Sequence, residues 1–143
     1  MTDGKQGDDP THAFDFWVGS WIVTDAATGE RVGHNRIEAV VGGRALHEHW
    51  TGVSGLKGES LNIYDEQRGR WHQTWVSSNG MLLELDGGIR DGAMEMQGSA
   101  GDKALHRIRW TPMPDGTVVQ RWEQSGDEGA SWELLFEGIY KRE

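Results

Sequence analysis

The chain has 143 residues, no cysteine and a formal net charge of −9, from 14 Lys+Arg against 23 Asp+Glu. That length fits one domain with a real core, while the absence of cysteine excludes a disulfide framework and thiolate chemistry. The acidic balance, with no basic stripe, argues against a phosphate backbone or an anionic membrane surface as partner, so neither nucleic acid nor membrane is expected. No apolar run approaches the roughly 20 residues needed to span a bilayer. Glycine is twice as frequent as usual, 21 of 143, but its even spacing indicates turns rather than disorder.

Residues 1–12, MTDGKQGDDPTH, are polar and acidic and read as a flexible tail, leaving 13–143 as a single domain. They lack the basic start and apolar stretch of a signal peptide, and with Met1 in place the expected location is cytoplasmic. FDFWVGSW follows at 14–21. Residues 13–19 are the one segment that reads as a helical turn. Phe14, Phe16 and Trp17 then form a short plug under one end of the fold, and Trp21 is the first residue to point into the seal.

Turn signals come next at 27–29, 42–43, 54–55, 67–69, 79–80, 91–92, 100–102, 115–116 and 127–129. Several are Asn-Gly or Asp-Gly, the pairs that supply the positive φ of tight hairpins. They delimit ten candidate strands, and no segment keeps an apolar period of 3.6. The expected fold class is all-β, a single up-and-down antiparallel barrel of about ten strands. Closure removes the exposed edges an open meander would leave. A two-sheet sandwich is the alternative.

Alternation assigns the faces. The apolar set holds Leu46 and Trp50; Leu61 and Ile63; Trp71 and Trp75; Leu83 and Leu85; Met94 and Met96. It continues with Ile108 and Trp110, Val118 and Trp122, then Trp132, Leu134 and Phe136. The opposite face alternates in sign from strand to strand: Glu95, then Arg107 and Arg109, then Arg121 and Glu123, then Glu133 and Glu137. Opposite charges across strands suit an exposed β-surface. The second strand, with His34-Arg36-Glu38 against Asn35-Ile37-Ala39, gives mixed faces.

Polar residues share the inner face with the tryptophans: Glu48 beside Trp50, Gln73 between Trp71 and Trp75, His106 beside Ile108, and Gln120 before Trp122. Burying such groups without partners costs about 1–3 kcal/mol each, more for a charge. Four on one face imply either a self-satisfied core network or a cavity with something to recognise. The expected ligand-binding set is Glu48, Trp50, Trp71, Gln73 and Trp75 with His106, Trp110, Gln120 and Trp122.

The order FDFWVGSW, GLKGESLNIYD, RWHQTWVSSNG, GAMEMQG and SGDEGASWELLFEGIYKR resembles a bacterial family catalogued as a domain of unknown function and regarded as lipocalin-like. The resemblance runs from Ala13 to Arg142. Its most specific pieces are Trp71-x-Gln73-x-Trp75 followed by Gly80, and Asp127-x-Gly129-x-x-Trp132. It implies a calycin-type barrel and carries no established activity. Gly19-Ser20-Trp21 is similar to the lipocalin Gly-x-Trp, whose Trp seals the closed barrel end against a basic side chain.

His47-Glu48-His49 sets two imidazoles on one side of a strand, a metal-binding spacing. Both fall on the outer face with no third ligand evident on neighbouring strands, so no metal is expected. Haem would need His106 or His34 as axial ligand. The Gly-x-Trp-x-Gly-x-Gly pattern of the nitrobindin relatives is absent, since Ile22, Val23 and Thr24 follow Trp21, and no cofactor is expected. The Ser125–Gly129 segment is oxygen-rich but lacks a calcium-ligand pattern and reads as a solvated hairpin tip.

The expected function is binding of a small, partly hydrophobic molecule, aromatic or carbonyl-bearing, by a monomer or homodimer. The alternative is an acid–base enzyme of isomerase, cyclase or hydratase type using Glu48 and His106. A purely structural module would have a filled interior.

Overall fold

The computed structural model describes residues 9–101 and 104–143. Ten strands follow one another: β1 (Gly19–Asp25), β2 (Arg31–Val40), β3 (Ala45–Gly52), β4 (Lys57–Asp65) and β5 (Arg70–Ser77). They continue as β6 (Leu82–Arg90), β7 (Ala93–Ser99), β8 (Leu105–Pro112), β9 (Val118–Ser125) and β10 (Glu133–Arg142). Each pairs antiparallel with its sequence neighbours, and β1 pairs with β10 to close the barrel. The expected up-and-down barrel is the observed fold. Its connections coincide with the turn signals, apart from Asp102, which lies outside the described residues. At Asp91-Gly92 both residues have positive φ, 51° and 80°, the requirement of the tightest hairpin turn.

The plug is 3-10 rather than α-helical, in two turns at Pro10–His12 and Asp15–Trp17. Their bonds close over three residues, Ala13 N–H to the Pro10 carbonyl at 3.3 Å and Trp17 N–H to the Phe14 carbonyl at 3.1 Å, as in other one-turn segments. Of the expected tail, residues 1–8 lie outside the described residues. Pro10 is tied to the barrel, its carbonyl accepting from the Trp71 indole N–H at 2.8 Å.

Phe14, Trp17 and Trp21 are fully buried. Phe14 stacks on Trp17 with ring centroids 4.7 Å apart and meets Trp110 and Trp71 edge-on. The Trp21 indole donates to the Trp17 carbonyl at 2.8 Å. Arg142 lies over the Trp21 ring, 4.2 Å from its centroid, and donates to the Val18 carbonyl at 3.0 Å. These contacts close the barrel end that carries the β2–β3, β4–β5, β6–β7 and β8–β9 turns.

The inward sets expected on β5 to β9 are in place, with Trp71, Leu85, Met96, Trp110 and Val118 buried. Outside, Arg107 pairs with Glu123 and Arg109 with Glu95, each at 2.9 Å, and Arg121 reaches Glu137 at 3.4 Å. On β2 the inner residues are Gly33, Asn35 and Ile37. No helix among the described residues is long and apolar enough to cross a membrane.

Two face assignments are corrected. On β4, Leu61 and Ile63 point outward and are 54% and 39% exposed, while Ser60 and Asn62 are buried. The polar pair is inward because Glu48 and Gln73 supply its hydrogen-bond partners. At the start of β10, Trp132 and Leu134 are outside, not in the lumen. The register shifts between Leu134 and Phe136, and such a bulge inverts the alternation that precedes it. Trp132 lies under the Arg107 guanidinium, 3.9 Å from the ring centroid, on the charged outer face.

Candidate functional site

Above the plug the lumen holds a cavity of about 190 Å³. Trp50, Trp75, Trp110 and Trp122 form much of its wall, and Glu48, Gln73 and Gln120 face it. Leu83, Ile108, Phe136 and Tyr140 complete the middle, with Leu56 of the β3–β4 loop at one end. Trp50, Leu56, Trp75, Trp122 and Phe136 are only half-buried, whereas Trp110 and Tyr140 are buried. The cavity therefore opens toward the end with the β1–β2, β3–β4 and β9–β10 connections, opposite the plug.

Strand glycines make room for these aromatic rings. A Cβ on Gly58 would lie 2.1 Å from the Trp75 ring, and one on Gly33 would lie 2.6 Å from the Trp50 ring. Each ring thus lies against the backbone of a neighbouring strand. A Cβ at either glycine would push the ring toward the lumen.

The polar residues form a continuous belt. Gln73 donates to Asn62 Oδ1 at 2.8 Å, Asn62 to Ser60 Oγ at 2.9 Å, and Ser60 to Glu48 Oε1 at 2.6 Å. On the other side, Asn35 Nδ2 donates to Glu48 Oε2 at 2.8 Å and to the Tyr140 hydroxyl at 2.9 Å. Tyr140 in turn donates to Gln120 Oε1 at 2.6 Å. The register makes this belt: Asn62 lies opposite Gln73 and Ser60 opposite Glu48, while Asn35 reaches past β1 to β10.

Burial pushes the Glu48 carboxyl above its ordinary range, against the opposing effect of the Ser60 and Asn35 hydrogen bonds. Tyr140 is raised well above the ordinary phenol value, first by burial and then by the Glu48 charge. Tyr140 therefore remains a hydroxyl donor. The Trp110 indole N–H and Asn35 Oδ1 are buried without a hydrogen-bond partner among the described residues, and leaving such a group unpaired costs about 1–3 kcal/mol.

Of the nine expected site residues, seven line one cavity: Glu48, Trp50, Gln73, Trp75, Trp110, Gln120 and Trp122. Trp71 is instead part of the floor, bonded to Pro10 and packed on Phe14. His106 is buried on the inner face of β8, its Nδ1 accepting from the Trp122 indole at 3.0 Å, and it does not border the cavity. Of the two axial-ligand candidates for haem, His106 does not border the cavity and His34 faces outward to Glu143 at 2.9 Å. Asn35, Ser60, Asn62 and Tyr140 were missed by sequence reasoning. Their signal was partial: Asn35 sat in a strand with mixed faces, and Tyr140 is two and four residues beyond inward Gly138 and Phe136.

The Ser125–Gly129 segment is a self-satisfied tip. The Asp127 carboxylate accepts from the Ser131 and Ser125 hydroxyls at 2.6 and 2.7 Å and from Ser131 N–H at 2.9 Å, which lowers its pKa to about 2. At His47 and His49 the expectation of no neighbouring third ligand is corrected. Glu38 of β2 lies 2.8 Å from His49 and Glu59 of β4 lies 2.7 Å from His47. Searched against protein-family models and curated proteins, the chain matches none.

Proposed function

We propose that the barrel binds a small, partly hydrophobic molecule in its lumen, a single-ring compound with one or two hydrogen-bonding groups. The observation that carries this reading is the composition of the cavity: four tryptophans beside Glu48, Gln73, Gln120 and Tyr140 in about 190 Å³. Drug-sized pockets run from about 300 Å³, and a dry engineered cavity of about 150 Å³ takes benzene. The volume selects for one ring. The unpartnered Trp110 N–H favours a ligand bearing an acceptor such as a carbonyl. The Trp21–Arg142 seal supports placing the barrel with the lipocalin-like, calycin-type proteins. A role for Glu48 and His106 as an acid–base pair has less support, because only Glu48 borders the cavity.

Quenching of tryptophan fluorescence by benzaldehyde, phenol, benzoate and toluene tests the reading. Saturable quenching is expected, strongest for the carbonyl compound. Ile108→Trp should abolish it by filling the lumen, and the milder Gln73→Leu should weaken the polar ligands relative to toluene. Unsaturable quenching, or equal responses in all three proteins, would overturn it.

A further inference from the structure

The outer face of the barrel gathers side chains that the lumen does not use. His47 and His49 project from the same side of β3, their ring centroids 3.9 Å apart and their planes inclined by 35°. Glu38 stands directly opposite His47 in the β2 register but bonds His49; Glu59 stands directly opposite His49 on β4 but bonds His47. Two imidazoles are thus flanked by two carboxylates, one from each neighbouring strand. One ligand atom from each of Glu38, His47 and His49 lies within 4.8 Å of the others. In a tetrahedral zinc site, bonds of about 2.0–2.1 Å put donor atoms roughly 3.3 Å apart, a separation that small side-chain rotations reach from here.

We propose that His47, His49 and Glu38 form a surface site for a divalent transition-metal ion of the zinc class, with Glu59 or water in the fourth position. Imidazole and carboxylate donors in this number suit zinc, copper or nickel rather than calcium or magnesium, which prefer all-oxygen shells. When the ion enters, each histidine binds as a neutral imidazole, one ring nitrogen giving its lone pair to the metal while the N–H stays on, or moves to, the other nitrogen. The hydrogen bonds now joining the pairs are replaced by coordination from the same groups. Arg36 also pairs with Glu38, at 3.1 Å. Breaking that contact costs little, because both partners are about half exposed. The histidines are 28% and 27% exposed, accessible yet held in position by their strand.

The experiment is calorimetric titration of Zn²⁺ into tag-free protein freed of metal with a chelator, repeated with Co²⁺ to read tetrahedral coordination from its visible absorption. One ion per chain is expected, with a dissociation constant of about 1 μM or tighter. The double variant His47→Gln/His49→Gln should lose more than about 100-fold in affinity, since even outer-shell partners of metal ligands are worth 10–100-fold. Glu38→Gln should weaken binding, while Arg36→Ala should preserve or tighten it by removing a competing cation. Thermal unfolding of each variant separates a lost site from a lost fold. No binding to the intact protein in the micromolar range would overturn the proposal. So would unchanged affinity in a folded double-histidine variant, which would leave the cluster as two pairs of surface hydrogen bonds.

Discussion

Glu48 is a carboxyl held by neutral donors, Ser60 and Asn35, in the wall of an apolar cavity. Burial raises its pKa above the ordinary 4.5, so its protonated form favours the fold. That stabilisation is complete below the unfolded value and is lost as pH rises through the folded one. Stability of the intact protein relative to Glu48→Gln should therefore fall as pH climbs above the ordinary carboxyl value of 4.5. Urea unfolding in chelator-containing buffer, which keeps cations off the outer face, measures the difference. A pH-independent difference would mean that the carboxyl is ionised as easily inside as in water.

The elements divide into a floor and a sheet. Phe14 and Trp17 fill the floor against Trp71 and Trp110, so Trp17→Ala should cost about 3–5 kcal/mol by chemical denaturation. Arg142→Ala removes a cover over Trp21 that is partly solvated, and should cost less than about 2 kcal/mol. A smaller loss for Trp17→Ala than for Arg142→Ala would show that the plug is not part of the core. The turns were legible in the sequence because positive φ demands particular residues, as at Asp91-Gly92. Faces were legible only where polarity followed position. On β4 the inward side chains are Ser60 and Asn62 and the outward ones Leu61 and Ile63, the reverse of the usual rule, because a hydrogen-bonded belt outweighs two leucine-sized burials. At β10 the bulge before Phe136 added a residue that alternation does not register. Glu48, Gln73 and Gln120 were found because each stands between or beside inward tryptophans. Asn35 was hidden because the contact that matters spans β1, and no local pattern encodes it.

At the scale of the molecule, the barrel has one closed end, an aromatic lumen joined by a polar belt, and an outer surface of paired charges. Gly33 and Gly58 let Trp50 and Trp75 lie back against the neighbouring strands, and the space left between the rings is the cavity. The central claim is that a single-ring molecule occupies the space these rings enclose. The eight indole N–H signals test it most directly, followed by ¹H–¹⁵N nuclear magnetic resonance as benzaldehyde is added. Saturable shifts are predicted for Trp50, Trp75, Trp110 and Trp122, with Trp21 in the seal and Trp132 on the outer face unmoved. Shifts confined to Trp132, or none in any of the four lumen tryptophans at saturating ligand, would contradict the account.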